Sequence, residues 1–319
     1  MKEAPTFYFK PMLPYVKKIL TLIILLSPGC VYGLPTQIKH VILIGVDGFG
    51  AYCFPTANMP NIKKMMAQGS YTLHARCVLP SSSAVNWASM TMGSTPELHG
   101  YTERRSKAPE LPPKAIDSFN RFPSIFSILR EQRPDAEIGA FYTWGGIYHL
   151  IPVQALSHNE HSDSDINTIN EAINYLKEKK PDLLFIQLDE VDQVGHRNGH
   201  NTPKYYKQVT KTDENLGKLW DAVNETGMGE NTIIILTADH GGLGHGHGGV
   251  TMQEMEIPWV ILGPNVKKNH EITESIMTYD TAATIAYILH LNIPQVWVGR
   301  PVKSVMDMED KKHEKQLSN

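Results

Sequence analysis

The sequence predicts an α/β fold in which a mostly parallel central sheet is flanked by helices on both faces. Short apolar and β-branched runs at residues 38–45, 182–188 and 232–236 predict buried strands. Such runs alternate along the chain with longer segments of helical apolar spacing, and this alternation is typical of a parallel sheet covered on both sides. No linker-like composition or internal repeat interrupts residues 34–305. We therefore expect one domain there, followed by a charged tail at residues 306–319.

The remaining elements follow in order from the same patterns. Amphipathic spacing predicts helices, and short apolar runs between them predict further strands. The predicted helices are residues 59–68, 123–130, 166–179, 207–223 and 278–289, and the predicted strands are residues 72–79, 136–142 and 257–262.

Length, charge and cysteine content limit the possible functions. The chain has 319 residues and a net charge of -3, which argues against binding to a nucleic-acid backbone. Its 3 cysteines have no CxxC spacing, so no zinc finger is predicted. Cys53 and Cys77 could form a disulfide in an exported protein, and buried thiols are an equal alternative.

The N-terminus has the order of a secretory signal. Lys17 and Lys18 precede an apolar run at residues 19–26, and small residues follow up to Gly33. The run is too short to span a bilayer. We predict a signal peptide at residues 1–33 and a secreted or periplasmic mature protein without a membrane span. Lipid attachment at Cys30 and an uncleaved anchor are the lesser alternatives.

Side chains that can bind metal follow three predicted strands. Asp47 follows the first, Asp192 and His196 follow the second, and Asp239 and His240 follow the third. An aspartate after a strand is often only a turn residue. Parallel strands, however, bring their carboxyl ends to one edge of the sheet, where these groups would converge. Carboxylate and imidazole without thiolate suit zinc or a similar divalent ion.

A serine-rich segment supplies candidate nucleophiles. Ser81, Ser82 and Ser83 follow Pro80 and precede a helical pattern. One of them could be an N-cap, which is the simpler interpretation. A helix N-terminus also concentrates amide donors and positive potential, which suits a hydroxyl that attacks a phosphoryl group. Asn86, one turn later, could donate its amide to the same anion.

Together these motifs resemble the alkaline phosphatase superfamily and, within it, the type I phosphodiesterase/nucleotide pyrophosphatase branch. The resemblance covers most of the mature chain, and the motifs follow the family's order: Val46-Asp47-Gly48, Pro80 to Asn86, Asp192-x-x-Gly-His196, Asp239-His240-Gly241 and His247-Gly-Gly. It implies an alkaline phosphatase-like fold and a hydrolase of phosphoric esters that forms a covalent intermediate on a hydroxyl side chain.

The resemblance also implies a site for two divalent ions, usually Zn²⁺. One ion would be bound by Asp47, Asp239, His240 and the oxygen of Ser83, and the other by Asp192, His196 and His247. The nucleophile of this branch is usually a threonine three residues after a proline and three before an asparagine, which selects Ser83 and leaves Ser82 as a lesser candidate. Asn86 would stabilise a phosphoryl oxygen.

The remaining histidines fit the resemblance less well. The Gly-His-Gly-Gly pattern favours His247 over His245 as a ligand, while His99 and His200 match no ligand position and are expected to be surface or packing residues.

The expected substrate is a small phosphodiester such as a nucleotide. A phosphomonoesterase, the first alternative, would be expected to have a third metal site and an arginine at the phosphate. The nearest basic pair, Arg104 and Arg105, lies well beyond the serine segment in the sequence. A metal-binding module without catalysis is the alternative from another class, and the filled ligand and nucleophile positions argue against it. The sequence does not indicate the oligomeric state.

Overall fold

The computed structural model describes residue 1 and residues 37–307 of the chain. The strands in this part are β1 His40–Val46, β2 Gly69–Arg76, β3 Ile138–Tyr142, β4 His158–His161, β5 Leu183–Leu188, β6 Thr232–Ala238, β7 Glu256–Leu262 and β8 His270–Glu271. The helices are α1 Pro60–Gln68, α2 Ser83–Met92, α3 Pro96–His99, α4 Ile125–Gln132, α5 Ile147–Leu150, α6 Asp165–Lys179, α7 Glu190–Asn198, α8 Pro203–Glu225, α9 Met252–Met255 and α10 Asp280–Ile288.

The predicted signal peptide, Cys30 and all but the first two residues of the predicted tail lie outside the described residues. The domain boundaries at residues 33 and 305 therefore remain predictions.

The strands form one eight-stranded sheet in the order β4-β3-β5-β1-β6-β7-β2-β8. Five of the neighbouring pairs are parallel, from β4 through β6 and again between β2 and β8. Only β7 runs antiparallel to its neighbours, β6 and β2, among the described strands. The mostly parallel sheet predicted from the sequence is confirmed.

Helices cover both faces of this sheet, as predicted. Successive side chains of a strand point to opposite faces. On β5, Phe185 contacts the rings of Trp87 in α2 and Phe126 in α4. Its neighbour Leu184 lies beside Gly139, at the place where Tyr175 of α6 packs. Because Leu184 and Phe185 are consecutive, α6 lies on one face, and α2 and α4 lie on the other.

Several elements differ from the sequence-based expectations: the short α3, α5, α9 and β8 were not predicted, and β2 lies at Gly69–Arg76 rather than at residues 72–79. No helix was predicted directly after β5, but residues 190–198 form α7, whose sequence EVDQVGHRN has few apolar residues to reveal a helix. The short strand β4 was also missed, since its sequence HNEH is polar. It lies at the edge of the sheet, where polar residues are common because one side is free of neighbours.

The register of the three central strands places the candidate site. Val46 at the end of β1 pairs with Leu188 of β5 on one side and with Ala238 of β6 on the other. The next residue of each strand, Asp47, Asp189 and Asp239, therefore leaves the sheet at the same level. Three carboxylates meet at one edge because the strands are parallel and in register.

Two cysteines lie within the described residues. Cys53 and Cys77 are both buried and both free thiols. None of the helices described in residues 37–307 is long and apolar enough to cross a membrane.

Candidate active site

One carboxylate oxygen of Asp47 accepts hydrogen bonds, and the other accepts none from the described residues. Its Oδ2 accepts hydrogen bonds from Trp87 Nε1 at 3.0 Å and from Gln187 Nε2 at 3.3 Å. Its Oδ1 has no hydrogen-bond partner among the described residues and lies 3.4 Å from His240 Nε2. A buried carboxylate oxygen without a donor is costly unless something else compensates its charge.

Asp239 has the same arrangement. Its Oδ1 accepts hydrogen bonds from the backbone N–H groups of Gly48 at 3.1 Å and His240 at 2.9 Å. Its Oδ2 is buried without a hydrogen-bond partner in the described part of the chain, 3.2 Å from His240 Nε2. Asp47 and Asp239 therefore aim their free oxygens at the same imidazole nitrogen.

Asp192 and His196 lie one turn apart on α7, on the same side of the helix. Asp192 Oδ2 is 3.1 Å from His196 Nε2. Gly48 permits this approach: a Cβ there would lie 2.9 Å from the Cα of Asp192, and its φ of +66° is one that other residues rarely adopt. The helix that the sequence did not reveal thus brings Asp192 to Asp47.

Three histidines are oriented alike by the backbone. The Nδ1 atoms of His196, His240 and His247 lie 2.8, 2.7 and 3.0 Å from the carbonyl oxygens of His245, Gly241 and Ser81. A carbonyl only accepts, so Nδ1 carries the proton and Nε2 presents a lone pair. In His196 and His240 these lone pairs face carboxylate oxygens. Two acceptors face each other at such distances only with a proton or a metal cation between them.

The electrostatics of the aspartates agree with this need. Burial raises the pKa values of Asp47 and Asp239 well above the usual range, and the charges of the neighbouring aspartates raise them further. Burial would also raise the pKa of Asp192, but the neighbouring imidazoles, above all that of His196 at 3.1 Å, outweigh it and hold the pKa at about 2. Burial lowers the pKa of His240, which keeps this imidazole neutral.

Two groups of side chains have the spacing to hold a metal ion. Potential ligand atoms of Asp47, Asp239 and His240 all lie within 4.8 Å of one another, and so do those of Asp192, His240 and His247. The first group contains the three side chains assigned to site one by the resemblance. The second shares two members with predicted site two, with His240 in place of His196. Unpartnered carboxylate oxygens and lone-pair nitrogens are a suitable donor set for zinc or a similar ion.

The three consecutive serines have different surroundings. Ser83 Oγ lies 3.1 Å from His240 Nε2 and lines the cavity beside the cluster. Ser82 is the N-cap residue of α2, and its buried hydroxyl has no hydrogen-bond partner among the described residues. Ser81 donates to the carbonyl of Gly249 and accepts from the N–H of Gly248, so it fastens the glycine-rich loop to the serine segment.

Asn86 forms hydrogen bonds to the backbone of the serine segment and of the residues before it. Its Oδ1 accepts the N–H of Val78 at 2.7 Å, and its Nδ2 lies 3.1 to 3.2 Å from the carbonyls of Val78, Pro80 and Ser82. The side chain is fully buried. These bonds engage the amide that the resemblance assigns to a phosphoryl oxygen, and that assignment remains a prediction.

The structure brings Arg104 to the cluster, which the sequence did not predict. Its guanidinium lies 3.3 Å from His196 Nε2 and 3.5 Å from His247 Nε2. Arg104, Arg105 and Lys107 line a cavity of about 470 Å³, whose other lining residues include Ser83, Trp144, Asp192, His196 and His247. Two consecutive arginines are a weak signal in a sequence, and the separation from the serine segment concealed their position.

The other histidines are distinguished by burial. His245 is exposed and its Nδ1 contacts the His196 carbonyl, so it lies outside the two metal-competent groups. His99 is buried, with Nε2 2.9 Å from Ser89 Oγ and Nδ1 accepting the N–H of Tyr101. His200 is buried rather than on the surface. Its Nε2 lies 3.6 Å from Asp192 Oδ1, and its Nδ1 lies 3.2 Å from Tyr52 Oη.

Comparisons with known proteins agree with this geometry. Residues 41–245 match the family model of type I phosphodiesterase / nucleotide pyrophosphatase. Venom phosphodiesterase 2 of Crotalus adamanteus is 26% identical over 215 residues, which are 63% of this chain and 26% of that protein. Human ectonucleotide pyrophosphatase/phosphodiesterase family member 7 is 24% identical over 248 residues, which are 72% of this chain and 54% of that protein. The chain thus spans about a quarter to a half of the length of these relatives.

Solved structures show the same fold. Human ectonucleotide pyrophosphatase / phosphodiesterase 5 superposes with a TM-score of 0.71 at 15% identity, covering 84% of this chain and 100% of that chain. A 2-O GAG sulfatase superposes with a TM-score of 0.65 at 15% identity, covering 86% of this chain and 76% of that chain. The ordered motifs, the fold and the match over residues 41–245 lead to one conclusion. The chain belongs to the type I phosphodiesterase/nucleotide pyrophosphatase family.

Proposed function

We propose that the chain is a secreted or periplasmic two-metal hydrolase of phosphoric esters, a phosphodiesterase/nucleotide pyrophosphatase that acts through a covalent intermediate on Ser83. The observation that carries the proposal is the position of the Ser83 hydroxyl. It lies at the first residue of α2, 3.1 Å from His240 Nε2, and opens onto the cavity next to the buried carboxylates. Helix N-terminal amides favour the negative charge that a phosphoryl group carries.

Asp47, Asp239 and His240 would hold one divalent ion together with Ser83 Oγ, and Asp192, His196 and His247 would hold a second, with Zn²⁺ the expected metal. Backbone carbonyls fix the tautomer of all three histidines, so each presents its Nε2 lone pair without rearrangement. When bound, such ions lower the pKa of a coordinated hydroxyl and offset the charge of phosphoryl oxygens.

In the proposed reaction, Ser83 displaces the leaving group from phosphorus. Ser83 Oγ forms a bond to phosphorus and loses its proton to solvent, while the bond to the departing ester oxygen breaks and that oxygen takes the electron pair. Water hydrolyses the resulting ester and restores the Ser83 hydroxyl. Asn86 holds residues 78–83 in place during both steps through its bonds to the backbone, and we retain phosphoryl contact as its predicted second role.

A pair of serine variants tests the nucleophile. Ser83→Ala is expected to lose turnover of bis-p-nitrophenyl phosphate almost completely while it keeps its metal content. Ser82→Ala is the matched control, because it removes the neighbouring hydroxyl that does not line the cavity. Acid quenching followed by peptide mass spectrometry should locate the covalent adduct on Ser83. Full turnover by Ser83→Ala would remove this residue from the proposal.

Metal removal and a second substrate test the remaining parts. A chelator should abolish turnover, and zinc should restore it. Faster hydrolysis of p-nitrophenyl phosphate than of the diester would favour a phosphomonoesterase. Bound metal without turnover of either substrate would favour a metal-binding module.

The proposal that the protein is exported is based on the predicted signal peptide at residues 1–33. The similarity to a venom enzyme and to an ectoenzyme agrees with it. Expression of the full chain followed by N-terminal sequencing of the processed protein tests this. An intact N-terminus in a cytoplasmic fraction would contradict it.

A further inference from the structure

A second cavity lies in the described part of the chain, and it shares no lining residue with the cavity that contains Ser83. It has a volume of about 630 Å³ and is lined by the segment after β1, by α1, β2 and α9, and by the first residue of β7. Its apolar lining residues are Ala51, Phe54, Pro55, Met66, Leu73 and Met252. Cavities of about 300–1,000 Å³ with mostly apolar linings are typical of small-molecule sites. The size and the lining therefore fit a small organic ligand.

The charged side chains of the second cavity favour an anion. Glu256 Oε1 lies 3.5 Å from His74 Nδ1, so the acid and the imidazole of the lining contact each other. Lys63 also lines the cavity, and it belongs to none of the ion pairs found among the described residues. A bound carboxylate or sulfonate would give the Lys63 ammonium a partner, whereas a bound cation would be repelled by it. The ligand that fits both features is an apolar molecule with one anionic group.

Tyr52 connects the second cavity with Asp192. Tyr52 lines the cavity, and its Oη lies 3.2 Å from His200 Nδ1. His200 Nε2 lies 3.6 Å from Asp192 Oδ1, and neither atom has a hydrogen-bond partner among the described residues. When Tyr52 donates to Nδ1, the proton of the neutral imidazole is on Nε2, and a shift of less than about 1 Å would complete a hydrogen bond to Asp192. His200 therefore has two arrangements, with and without this bond.

The helix α9 connects the second cavity with the glycine-rich loop. Gln253 lines the cavity, and its carbonyl accepts the N–H of Gly242 at 3.2 Å. A Cβ on Gly241 would lie 2.2 Å from the same carbonyl oxygen, so α9 packs directly against the backbone that follows His240. A ligand that contacts Tyr52 and Gln253 therefore contacts neighbours of both metal-competent groups.

We propose that the second cavity binds a small organic anion with an apolar body, such as an aryl or alkyl carboxylate or sulfonate, and that its occupancy changes the metal affinity of the predicted site at Asp192. Apolar contacts with Met66 and Leu73 would supply most of the binding free energy, and Lys63 would select the anion. The ligand changes the metal affinity only if it binds one arrangement of His200 more tightly than the other. The effect on metal rests on the proposed function, whereas the binding of the anion does not.

The fluorescent aromatic sulfonate 8-anilinonaphthalene-1-sulfonate tests the binding site. Titration of the folded full chain should show one saturable probe per chain. Lys63→Gln removes the partner of the sulfonate and Met66→Gln removes apolar contact, so each should weaken binding roughly three- to fivefold. Lys64→Gln is the matched control and should keep the wild-type affinity, because the Lys64 ammonium lies over the Trp220 ring and does not line the cavity.

Two outcomes of this titration would overturn the site. One is the same affinity in the wild type, Lys63→Gln and Met66→Gln. The other is an affinity that falls in Arg105→Gln but in neither of those variants, because the probe would then occupy the cavity beside Ser83.

A metal titration tests the connection to Asp192. The zinc affinity of the wild type, measured by competition with a chromophoric chelator, should change roughly fivefold or more when the probe is saturating, and zinc should change the probe affinity by the same factor. Tyr52→Phe retains the ring but loses the bond to His200, so it should bind the probe and bring this factor close to one. An unchanged zinc affinity in the wild type would overturn the connection, and an undiminished factor in Tyr52→Phe would overturn the route through His200. A protein that binds the probe but no zinc would refute the proposed function and leave the anion site supported.

Discussion

The side-chain hydroxyl of Tyr205 holds the turn that follows β1. The Tyr205 hydroxyl donates to the carbonyl of Gly48 at 2.7 Å and accepts the N–H of Gly50 at 3.3 Å, and the side chain is fully buried. Gly48 in turn donates its N–H to Asp239 Oδ1. Tyr205→Phe removes both bonds of the hydroxyl and retains the ring.

The expected cost follows from these contacts. Gly50 N–H still reaches the carbonyl of Gly48 at 3.1 Å, so neither group is left without any partner. At about 1 kcal/mol for each lost bond, the free energy of unfolding should fall by about 2 kcal/mol. Because the same turn positions Asp47 and orients Asp239, we also expect roughly tenfold weaker metal binding.

Tyr175→Phe is the matched control. The Tyr175 hydroxyl donates to Glu137, just before β3 and therefore at the opposite end of the sheet from the metal ligands. A hydrogen bond to a charged group contributes about 1.5–3 kcal/mol, so urea unfolding should show a similar loss of stability. Metal competition with a chromophoric chelator should then separate the two variants. Equal metal affinity in both would refute the role of Tyr205 in positioning the ligands.

Three further perturbations have defined outcomes. Burial lowers the pKa of His99 to about 3 from its usual 6.5, so its neutral form contributes stability that is complete above pH 6.5 and is lost as the pH falls toward 3. Between pH 6.5 and 5, the free energy of unfolding measured in urea should therefore fall by about 2 kcal/mol less in His99→Gln than in the wild type. The same dependence of this free energy on pH in both proteins would contradict the prediction. His200 lies between Gly195 and Gly242 and 3.6 Å from Asp192 Oδ1, so His200→Asn should weaken metal binding by roughly tenfold, whereas a lower melting temperature with wild-type metal affinity would show only packing. Asn86→Ala should lower the free energy of unfolding by about 2–4 kcal/mol because it leaves buried backbone groups unpaired, and a loss below about 1 kcal/mol would show that water replaces the side chain.

Much of the site was predictable because its residues occupy local, repeating positions. Asp47 and Asp239 each follow a continuous apolar run, and a parallel sheet necessarily brings such positions to one edge. The sequence also showed that carboxylates, imidazoles and a hydroxyl would be available there. It did not show that Asp192 and His196 lie on a helix, since that helix is polar and short.

The tertiary structure alone decided how these side chains are used. Asn86 binds the backbone of its own segment, His200 is seated beside Asp192, and Arg104 reaches His196 and His247. These contacts depend on where loops cross the edge of the sheet, and the paths of loops are determined by long-range contacts rather than by local periodicity. The sequence by itself therefore determined the fold class and the chemical groups of the site. Only the folded chain brought Arg104 to His196 and to the cavity that Ser83 lines, because Arg104 and His196 are 92 residues apart in sequence and meet only after folding.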